Sequence, residues 1–425
     1  MEQGLIKVFK FGGASVKSAE GVKNLVKIIE GYKQPLVVVV SAMGKTTNLL
    51  EQILKGYLRQ DKSFWDDFSE FKQFHMQITD ALFGASDAKC HNDVSKLLAE
   101  VEVLLQSKPK GDFNFCYDQL VCYGELLSTK IIANYAANVG LNSQWVDIRR
   151  TLISDDTYRE GNIDFNLSKE LCEKTFRFGH GLPSLFITQG FIAGTPNGLT
   201  TTLGREGSDY TAAILANLLN AADVTIWKDV EGVLNADPRI FDKTVKLSRV
   251  SFKEAIELAY CGAQIIHPKT IKPLQNKSIK LYVKSFLNPT AEGTLVYQTD
   301  SVIDYPPVYI RKENQVLVSL TPVDFSFVIE DCLSRIFAIL FKHRVKVNLV
   351  QSSAISFSVC VDDEEHFLPG ALDELKQSFA VKYNKGLELL TVRHYTQSVI
   401  DNSLLGKKVF LKQTTRSTMR VVFQP

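Results

Sequence analysis

The sequence predicts an α/β protein in which a mainly parallel sheet is followed by a smaller region built on a different plan. At the start of the chain, a strand pattern over Lys7–Phe11 ends at two glycines, a helical pattern covers 19–32, and the run Leu36–Val40 is continuously apolar. Strand, helix and buried strand form a βαβ unit, whose strands pair in parallel through a right-handed crossover. Beyond residue 311, the order strand–helix–strand–strand–helix–strand is that of the ferredoxin-like split unit.

Helical patterns follow the first two strands. From residue 48 to about 106, apolar residues recur at spacings of three and four, which is the period of an amphipathic helix. We therefore expect a helical subdomain at about 49–110, beside the sheet. Further helices are predicted at 121–135 and 255–261, and short strands at 145–148, 184–188, 223–227 and 281–284.

Turn-forming residues around Asn288-Pro289 and 304–307 separate the two regions. The predicted organisation is a first domain over 1–295, a linker over 296–310, a module over 311–385 and an abbreviated second module over 386–425. The strands expected there are 316–320, 346–350, 355–360, 381–383, 387–392, 409–412 and 419–423, and the helices are 332–343, 369–379 and one near 397. Because the second module is short, it is either truncated or completed by residues near 302–310.

The composition is that of an ordinary globular protein. The formal net charge is +2 and 23% of the 425 residues are charged, which gives no support for a nucleic-acid or membrane partner. The seven cysteines contain no Cys-x-x-Cys pair and the seven histidines no His-Glu-x-x-His pattern, so neither a disulfide framework nor a dedicated metal centre is expected. No signal peptide and no bilayer-spanning apolar run is recognised, which predicts a cytoplasmic protein.

Four loops with glycine, hydroxyl or charged residues are expected at one edge of the sheet. They are 10–13, 41–44, 204–209 and 228–239. Ligands of parallel α/β sheets bind beyond the carboxyl ends of the strands, where these loops are predicted to lie. Phosphoryl transfer needs the reactants in line, with cations and N–H donors around the migrating group. Lys10, next to two glycines at the end of the first strand, suits that chemistry.

The stretch 200–210 runs from threonines and glycines into an alanine-rich helix, and its N-cap candidates are Ser208 and Asp209. A helix N-terminus attracts anions through its free N–H groups and its dipole. Arg205 offers a fork for a carboxylate or phosphate, and Asp209 could hold a metal or a lysine. Glu125 is either an exposed acid on a helix or a buried, paired one.

Four ordered motifs resemble those of the aspartate kinases, and the resemblance covers essentially the whole chain. The motifs are Lys10-Phe11-Gly12-Gly13-Ala14-Ser15-Val16, Thr201-Thr202-Leu203-Gly204-Arg205 with Gly207-Ser208-Asp209, Asp229-Val230-Glu231-Gly232-Val233 with Ala236-Asp237-Pro238-Arg239, and Gly262-Ala263 with His267-Pro268. The resemblance implies a three-layer α/β/α amino-acid-kinase sandwich with C-terminal ACT modules. It also implies phosphorylation of the L-aspartate side chain by ATP, the first step toward lysine, threonine and methionine, with Mg²⁺ carried mainly by ATP.

The resemblance further implies roles for individual residues. Lys10 would stabilise the transferring phosphoryl group and Asp209 would organise that lysine. The substrate would contact Thr47, Glu125 through its amino group, Phe191, Arg205 through its α-carboxylate, and Ser208. The nucleotide would contact Lys10, Phe11, Gly12, Gly13, Lys228, Asp229, Leu234, Arg239, Gln264 and Ile265, and an amino-acid effector would contact Asn348, Ser352 and Ser353. No residue is implied as a dedicated metal ligand.

The sequence departs from the family pattern at several positions. Glu206 stands where the family often has glycine, and Lys228, Leu234 and Gln264 replace a hydroxyl residue, a tyrosine and a lysine. Asn348 stands where lysine-inhibited relatives carry an aspartate, and an amide is a weaker partner for an ammonium group. The effector, lysine or threonine, is therefore left open. ACT modules commonly pair between subunits, so a homodimer or larger homo-oligomer is expected.

Two alternatives are left open by the residues. One is a related kinase that acts on glutamate or a similar acid, because side-chain length is not readable from the motifs. The other is a catalytically silent amino-acid sensor in which only the ACT modules work, although the presence of Lys10, Arg205 and Asp209 favours an enzyme. No dinucleotide-binding domain follows the modules, so a monofunctional kinase is expected.

Overall fold

The computed structural model describes residues 6–84, 88–263, 266–323, 327–328, 330–397 and 406–425. The chain divides into two compact units. Unit 1 comprises Met1–Val233, Lys246–Ile256 and Ile265–Ile303, and unit 2 comprises Leu234–Val245, Glu257–Gln264 and Asp304–Pro425. Among the helices of the described residues, none is both long and apolar enough to cross a membrane.

The elements of the first half of the chain are β1 (Lys7–Phe11), α1 (Ala19–Glu30), β2 (Leu36–Val40), α2 (Thr46–Arg59), α3 (Phe64–Phe83), α4 (Ala88–Gln106), α5 (Phe113–Asn138), β3 (Ser143–Val146), a 3₁₀ turn (Ile148–Arg150), α6 (Phe165–Thr175), β4 (Leu185–Gln189), β5 (Ile192–Gly194), β6 (Thr200–Thr202) and α7 (Gly207–Leu218). They continue with β7 (Asp223–Lys228), β8 (Arg249–Ser251), α8 (Phe252–Cys261), α9 (Pro268–Gln275), β9 (Lys280–Ser285) and β10 (Thr294–Tyr297). The remaining elements are β11 (Val308–Pro322), α10 (Glu330–Lys342), β12 (Val347–Ser352), β13 (Phe357–Asp362), α11 (Leu368–Leu375), β14 (Phe379–Arg393), β15 (Lys408–Thr414) and β16 (Thr418–Gln424).

Unit 1 is organised around an eight-stranded sheet with the order β3-β4-β2-β1-β7-β9-β10-β8. Neighbouring strands are parallel except for the β9–β10 pair. The parallel βαβ unit predicted from the sequence is confirmed, and β1 lies between β2 and β7. In that register Lys10 is opposite Val39 on one side and Ile226 on the other, so the carboxyl ends of three strands meet beside it.

Local sequence explains how helices cover this sheet. Ser18 caps α1 by accepting the N–H of Gly21 at 3.2 Å, and the apolar face of α1 is buried. All five residues of β2 are buried, as expected for a strand covered on both faces. Helices α2 to α5 share one apolar core with α1, which confirms that the stripe of aromatic residues is core. Helix α5 begins at Phe113, earlier than predicted, because Asp112 caps it by accepting the N–H of Phe115 at 2.8 Å.

Unit 2 contains a six-stranded antiparallel sheet with the order β12-β13-β11-β14-β16-β15. The two separate strands predicted at 381–383 and 387–392 are one strand, β14, which pairs with β11 along almost its whole length. Residues 308–312 at the start of β11 pair with the end of β14. The abbreviated second module predicted over 386–425 is therefore completed by residues near 310. The helix predicted near residue 397 adjoins 398–405, which lie outside the described residues.

Candidate active site

A buried ion pair marks the carboxyl edge of the sheet in unit 1. Lys10 projects from the end of β1, Asp209 lies in the first turn of α7, and Lys10 Nζ is 2.7 Å from Asp209 Oδ1. Their side chains are only 12% and 5% exposed. Burial alone would raise the pKa of Asp209, but the positive charges of Lys10 and Lys228 outweigh it, and the pKa is lowered. The carboxylate therefore stays ionised and holds the lysine in place.

Two loops pack closely beneath this pair. The N–H of Gly44 donates to the carbonyl of Gly13 at 2.9 Å, and the N–H of Ser15 donates to the carbonyl of Gly12 at 3.0 Å. A Cβ on Gly13 would lie 2.5 Å from the carbonyl oxygen of Ala42, so a side chain there would force the loops apart. A Cβ on Gly12 would lie 3.5 Å from Lys10 Nζ, so the backbone at Gly12 passes close to the Lys10 ammonium.

The N-terminus of α7 differs from the sequence prediction. The N-cap position is Glu206, not Ser208 or Asp209, which lie in the first helical turn. Glu206 has φ of 53°, a left-handed conformation that hydroxyl and carboxylate caps do not normally adopt. A Cβ on Gly190 would lie 2.5 Å from the Cβ of Ser208, so only glycine lets the turn after β4 approach this helix.

Phe191 joins the turn after β4 to the first turns of α7. Its own φ is 70°, its N–H donates to the hydroxyl of Thr211 at 3.0 Å, and its carbonyl accepts the N–H of Leu203 at 2.8 Å. A Cβ on Gly207 would meet its ring at 2.6 Å. The predicted pocket residue Phe191 therefore lies directly against the helix that carries Ser208 and Asp209.

Glu125 is buried on α5, which settles the choice between an exposed and a buried acid. The N–H of Ala42 donates to its Oε1 at 3.3 Å, and no partner for its Oε2 is present among the described residues. Desolvation by burial raises the pKa of Glu125 to about 8, and the hydrogen bond from Ala42 offsets only part of that shift. A Cβ on Gly124 would lie 3.0 Å from the Cβ of Ala42, so this glycine lets α5 approach the 41–44 loop.

Asp118, which sequence reasoning missed, supports the loop that carries Arg205. Its carboxylate accepts the N–H of Arg159 at 2.8 Å, and both the N–H and the hydroxyl of Thr202 at 2.9 and 2.7 Å. Gln119 holds Thr200 through two further bonds. Asp118 and Glu125 are seven residues apart, two helical turns on one face, and that spacing of two acids is the signal that could have revealed Asp118. Arg205 itself is exposed at the end of the loop.

Other predicted substrate and nucleotide residues lie at the start of α2 and at the ends of β1 and β7. Thr47 is half-buried in the first turn of α2, directly after the 41–44 loop. Phe11 is fully buried, and its ring stacks on Trp227 with centroids 5.9 Å apart, so its side chain belongs to the core and only its backbone faces the loop region. Lys228 is the last residue of β7 and Asp229 follows it, both in unit 1.

Four nucleotide candidates remain. Leu234 and Arg239 belong to unit 2, where Arg239 forms a two-pronged ion pair with Asp237 at 2.7 and 3.0 Å. Gln264 and Ile265 lie outside the described residues. No group of three or more His, Cys, Asp or Glu side chains that could hold a metal is found in the part of the chain that the structure describes.

The predicted effector residues lie on and just after β12 in unit 2. The side-chain amide of Asn348 is fully engaged within the chain: its Oδ1 accepts from Lys312 Nζ at 2.7 Å, and its Nδ2 donates to Gln315 and Asp362 at 2.8 and 2.7 Å. Ser352 and Ser353 are exposed, and the hydroxyl of Ser353 is 2.8 Å from that of Ser356.

Comparison with known proteins finds the amino acid kinase family and several aspartokinases. The model of the amino acid kinase family matches residues 6–285. Over 422 residues the chain is 31% identical to lysine-sensitive aspartokinase 3 of Escherichia coli, covering 95% of this chain and 90% of that protein. Aspartokinase 1, chloroplastic, of Arabidopsis thaliana is 30% identical over 431 residues, with 96% and 73% covered. The chain spans 32% of a bifunctional aspartokinase/homoserine dehydrogenase of the same plant.

Two solved structures match nearly the whole chain. The E. coli aspartokinase III complex with aspartate and ADP has a TM-score of 0.81 and 27% identity, covering 99% of this chain and 96% of that chain. The complex of aspartokinase III with lysine and aspartate also has a TM-score of 0.81, at 28% identity, covering 98% and 95%.

Proposed function

The chain belongs to the amino acid kinase family, as an aspartokinase, and we propose how its site carries out that reaction. The enzyme transfers the γ-phosphoryl group of ATP to the side-chain carboxylate of L-aspartate, giving 4-phospho-L-aspartate and ADP. This is the first step toward lysine, threonine and methionine. The observation that carries the assignment of roles is the buried pair of Lys10 and Asp209 at the edge of the sheet where ligands of such folds bind.

Lys10 is the group that we assign to the migrating phosphoryl group. A carboxylate oxygen of the substrate attacks the γ-phosphorus while the bond to the β-phosphate oxygen breaks, and negative charge spreads over the transferring oxygens. An ammonium that is already held by Asp209 needs no reorganisation to meet that charge. The backbone N–H groups of Gly12 and Gly13, and those of Ser208 and Asp209 in the first turn of α7, supply further donors.

The substrate amino acid is held at both of its charged ends. Glu125 has one carboxylate oxygen without a partner among the described residues, and it accepts the α-ammonium group. Arg205, at the end of the loop braced by Asp118, binds the α-carboxylate bidentately. Ser208, Thr47 and Phe191 line the remaining space between these two ends.

The nucleotide phosphates are placed beside β1 and β7, on Gly12, Gly13, Lys228 and Asp229. Phe11 contributes through its backbone, since its ring is stacked in the core. Leu234, Arg239, Gln264 and Ile265 stay predictions. We assign Mg²⁺ to the nucleotide phosphates, its usual carrier in kinase sites.

Regulation is assigned to unit 2, as a pair of ACT modules that share one sheet. We propose that an amino-acid effector, lysine or threonine, binds near Asn348, Ser352 and Ser353, and that the modules pair in a homodimer or larger homo-oligomer. The complex of lysine with E. coli aspartokinase III supports an amino-acid effector. All seven cysteines are free thiols, which supports a reducing compartment such as the cytoplasm.

A coupled assay for ADP release tests the proposal. The enzyme is supplied with ATP and Mg²⁺ together with L-aspartate, L-glutamate or no acceptor. Aspartate-dependent release well above the other two supports the proposed function. Preference for glutamate would reassign the substrate, and no acceptor-dependent release would favour the silent sensor.

A further inference from the structure

Glu206 combines a strained backbone with a defined contact, which glycine at this position could not make. It occupies the N-cap of α7 with φ of 53°, in the left-handed region where a residue with a Cβ is disfavoured. No side-chain hydrogen bond from Glu206 to the first turn of α7 compensates for that strain. A conformation of this kind persists only when surrounding structure fixes it.

The side chain of Glu206 reaches a segment 61 residues away in the sequence. Its Oε2 accepts the backbone N–H of His267 at 2.9 Å. His267 is itself the N-cap of α9, and its Nδ1 accepts the N–H of Lys269 at 3.2 Å. The carboxylate of Glu206 therefore bonds to a backbone that is fixed by its own helix.

A second link joins the same two segments. Lys269 Nζ donates to the carbonyl of Leu203 at 3.1 Å and lies 4.8 Å from the centroid of the Tyr210 ring. Farther along, the side-chain amide of Asn217 donates to the carbonyl of Pro273 at 2.7 Å, which keeps α9 against α7. The contacts at Leu203, Glu206 and Tyr210 bracket the stretch that contains Arg205, Ser208 and Asp209.

We propose that Glu206 is a positioning residue for the phosphoryl-transfer reaction. Its carboxylate ties the N-terminus of α7 to His267 and thereby fixes the direction in which Ser208 and Asp209 face the reacting groups. The proposal rests on the function proposed above. Glu206 acts by positioning α7 and not by contact with substrate. Positioning alone is sufficient, because a misplacement of about 1 Å at such a site can cost about 100-fold in rate.

Two variants separate the hydrogen bond from other effects. Glu206→Gly removes the tether but relieves the left-handed strain, so the fold is not penalised, whereas Glu206→Gln keeps an oxygen that can accept the same N–H. We expect Glu206→Gly to lower kcat/KM for aspartate by about 10- to 100-fold, with KM for ATP little changed and the melting temperature not lowered. Glu206→Gln should stay within about threefold of the wild type, because the acceptor is kept.

Hydrogen exchange of the peptide that covers 203–212, in the ligand-free protein, gives a readout that does not depend on turnover. Exchange should be faster in Glu206→Gly than in the wild type, and should be restored in Glu206→Gln. Equal exchange in all three proteins would contradict the proposed role of the hydrogen bond between Glu206 and His267. So would a loss of kcat/KM in the Gln variant as large as that in the Gly variant. An inactive wild type would refute the proposed function, while the exchange comparison would still decide whether Glu206 ties the N-terminus of α7 to His267.

Discussion

Replacing Glu125 by glutamine should remove a pH dependence from aspartate binding. The carboxyl group is buried on α5, where desolvation raises its pKa to about 8. Its proposed partner is the substrate ammonium, which pairs with the ionised form only. Aspartate must therefore bind to the small ionised fraction below pH 8, and its affinity must fall as the pH falls.

The magnitude follows from that pKa. A carboxyl group with a pKa of about 8 is roughly one-tenth ionised at pH 7 and about nine-tenths ionised at pH 9, so KM for aspartate should be about tenfold higher at pH 7 than at pH 9. Glu125→Gln loses a hydrogen bond between charged groups, worth about 1.5–3 kcal/mol, which raises KM by about 10- to 150-fold at the upper pH. The amide does not titrate.

The assay is KM for aspartate at saturating ATP, measured for both proteins between about pH 7 and pH 9. Titration of the substrate amino group affects both proteins equally, so the ratio of the two KM values isolates Glu125. The ratio of variant to wild type should shrink about tenfold as the pH falls from 9 to 7. A ratio that stays constant would refute the assignment of Glu125 to the substrate ammonium.

Unfolding of the ligand-free protein gives an independent check on the same pKa. The folded pKa of Glu125, about 8, lies above its ordinary value of 4.5, so the folded state retains the proton that the unfolded chain has lost. The stabilising contribution is complete below pH 4.5 and is lost as the pH rises through 8. The wild type should therefore lose stability relative to Glu125→Gln on going from about pH 5 to pH 9, and parallel melting curves would contradict the raised pKa.

Three further predictions concern residues around the site and in unit 2. Asp118→Asn weakens the bonds to Thr202 and should cost about 1–3 kcal/mol of unfolding free energy by denaturant titration, with a raised KM for aspartate; unchanged values would contradict its bracing role. Gly190→Ala places a methyl group against α7 and should destabilise by about 1–3 kcal/mol with reduced kcat, whereas a neutral result would contradict the close approach. Lys312→Met frees the Oδ1 of Asn348, so calorimetry with lysine should show at least about tenfold tighter binding; unaltered heats would place the effector elsewhere.

The arrangement around Lys10 could be predicted because it depends on local pattern and on general topology. The sequence order of β1, α1 and β2 predicts that the two strands pair in parallel. The carboxyl ends of parallel strands lie at one edge of the sheet. That reasoning placed Lys10 beside the helix that begins near Asp209, and the structure has the two side chains 2.7 Å apart.

The N-terminus of α7 could not be predicted in the same way. Short-range preference favours Ser208 or Asp209 as the cap, but the bond of Glu206 to His267 comes from a segment distant in sequence, and it accompanies a left-handed backbone. The spacing of Asp118 and Glu125 could have indicated that Asp118 shares a helix face with Glu125, but its partners Arg159 and Thr202 meet it only after folding. The joining of two predicted strands into β14 likewise depends on its pairing with the long strand β11.

The most direct test of the central claim is the turnover of Lys10→Ala beside that of Lys23→Ala. Lys23 is an exposed lysine on α1 whose ammonium is 2.8 Å from Glu20, so its loss controls for the removal of a positive charge. Asp209→Asn combined with Lys10→Ala avoids leaving a buried carboxylate unpaired. We predict that both variants lacking Lys10 keep a cooperative unfolding transition but lose about 100- to 1,000-fold in aspartate-dependent kcat, while Lys23→Ala matches the wild type. Near-normal turnover without the Lys10 ammonium would contradict the account.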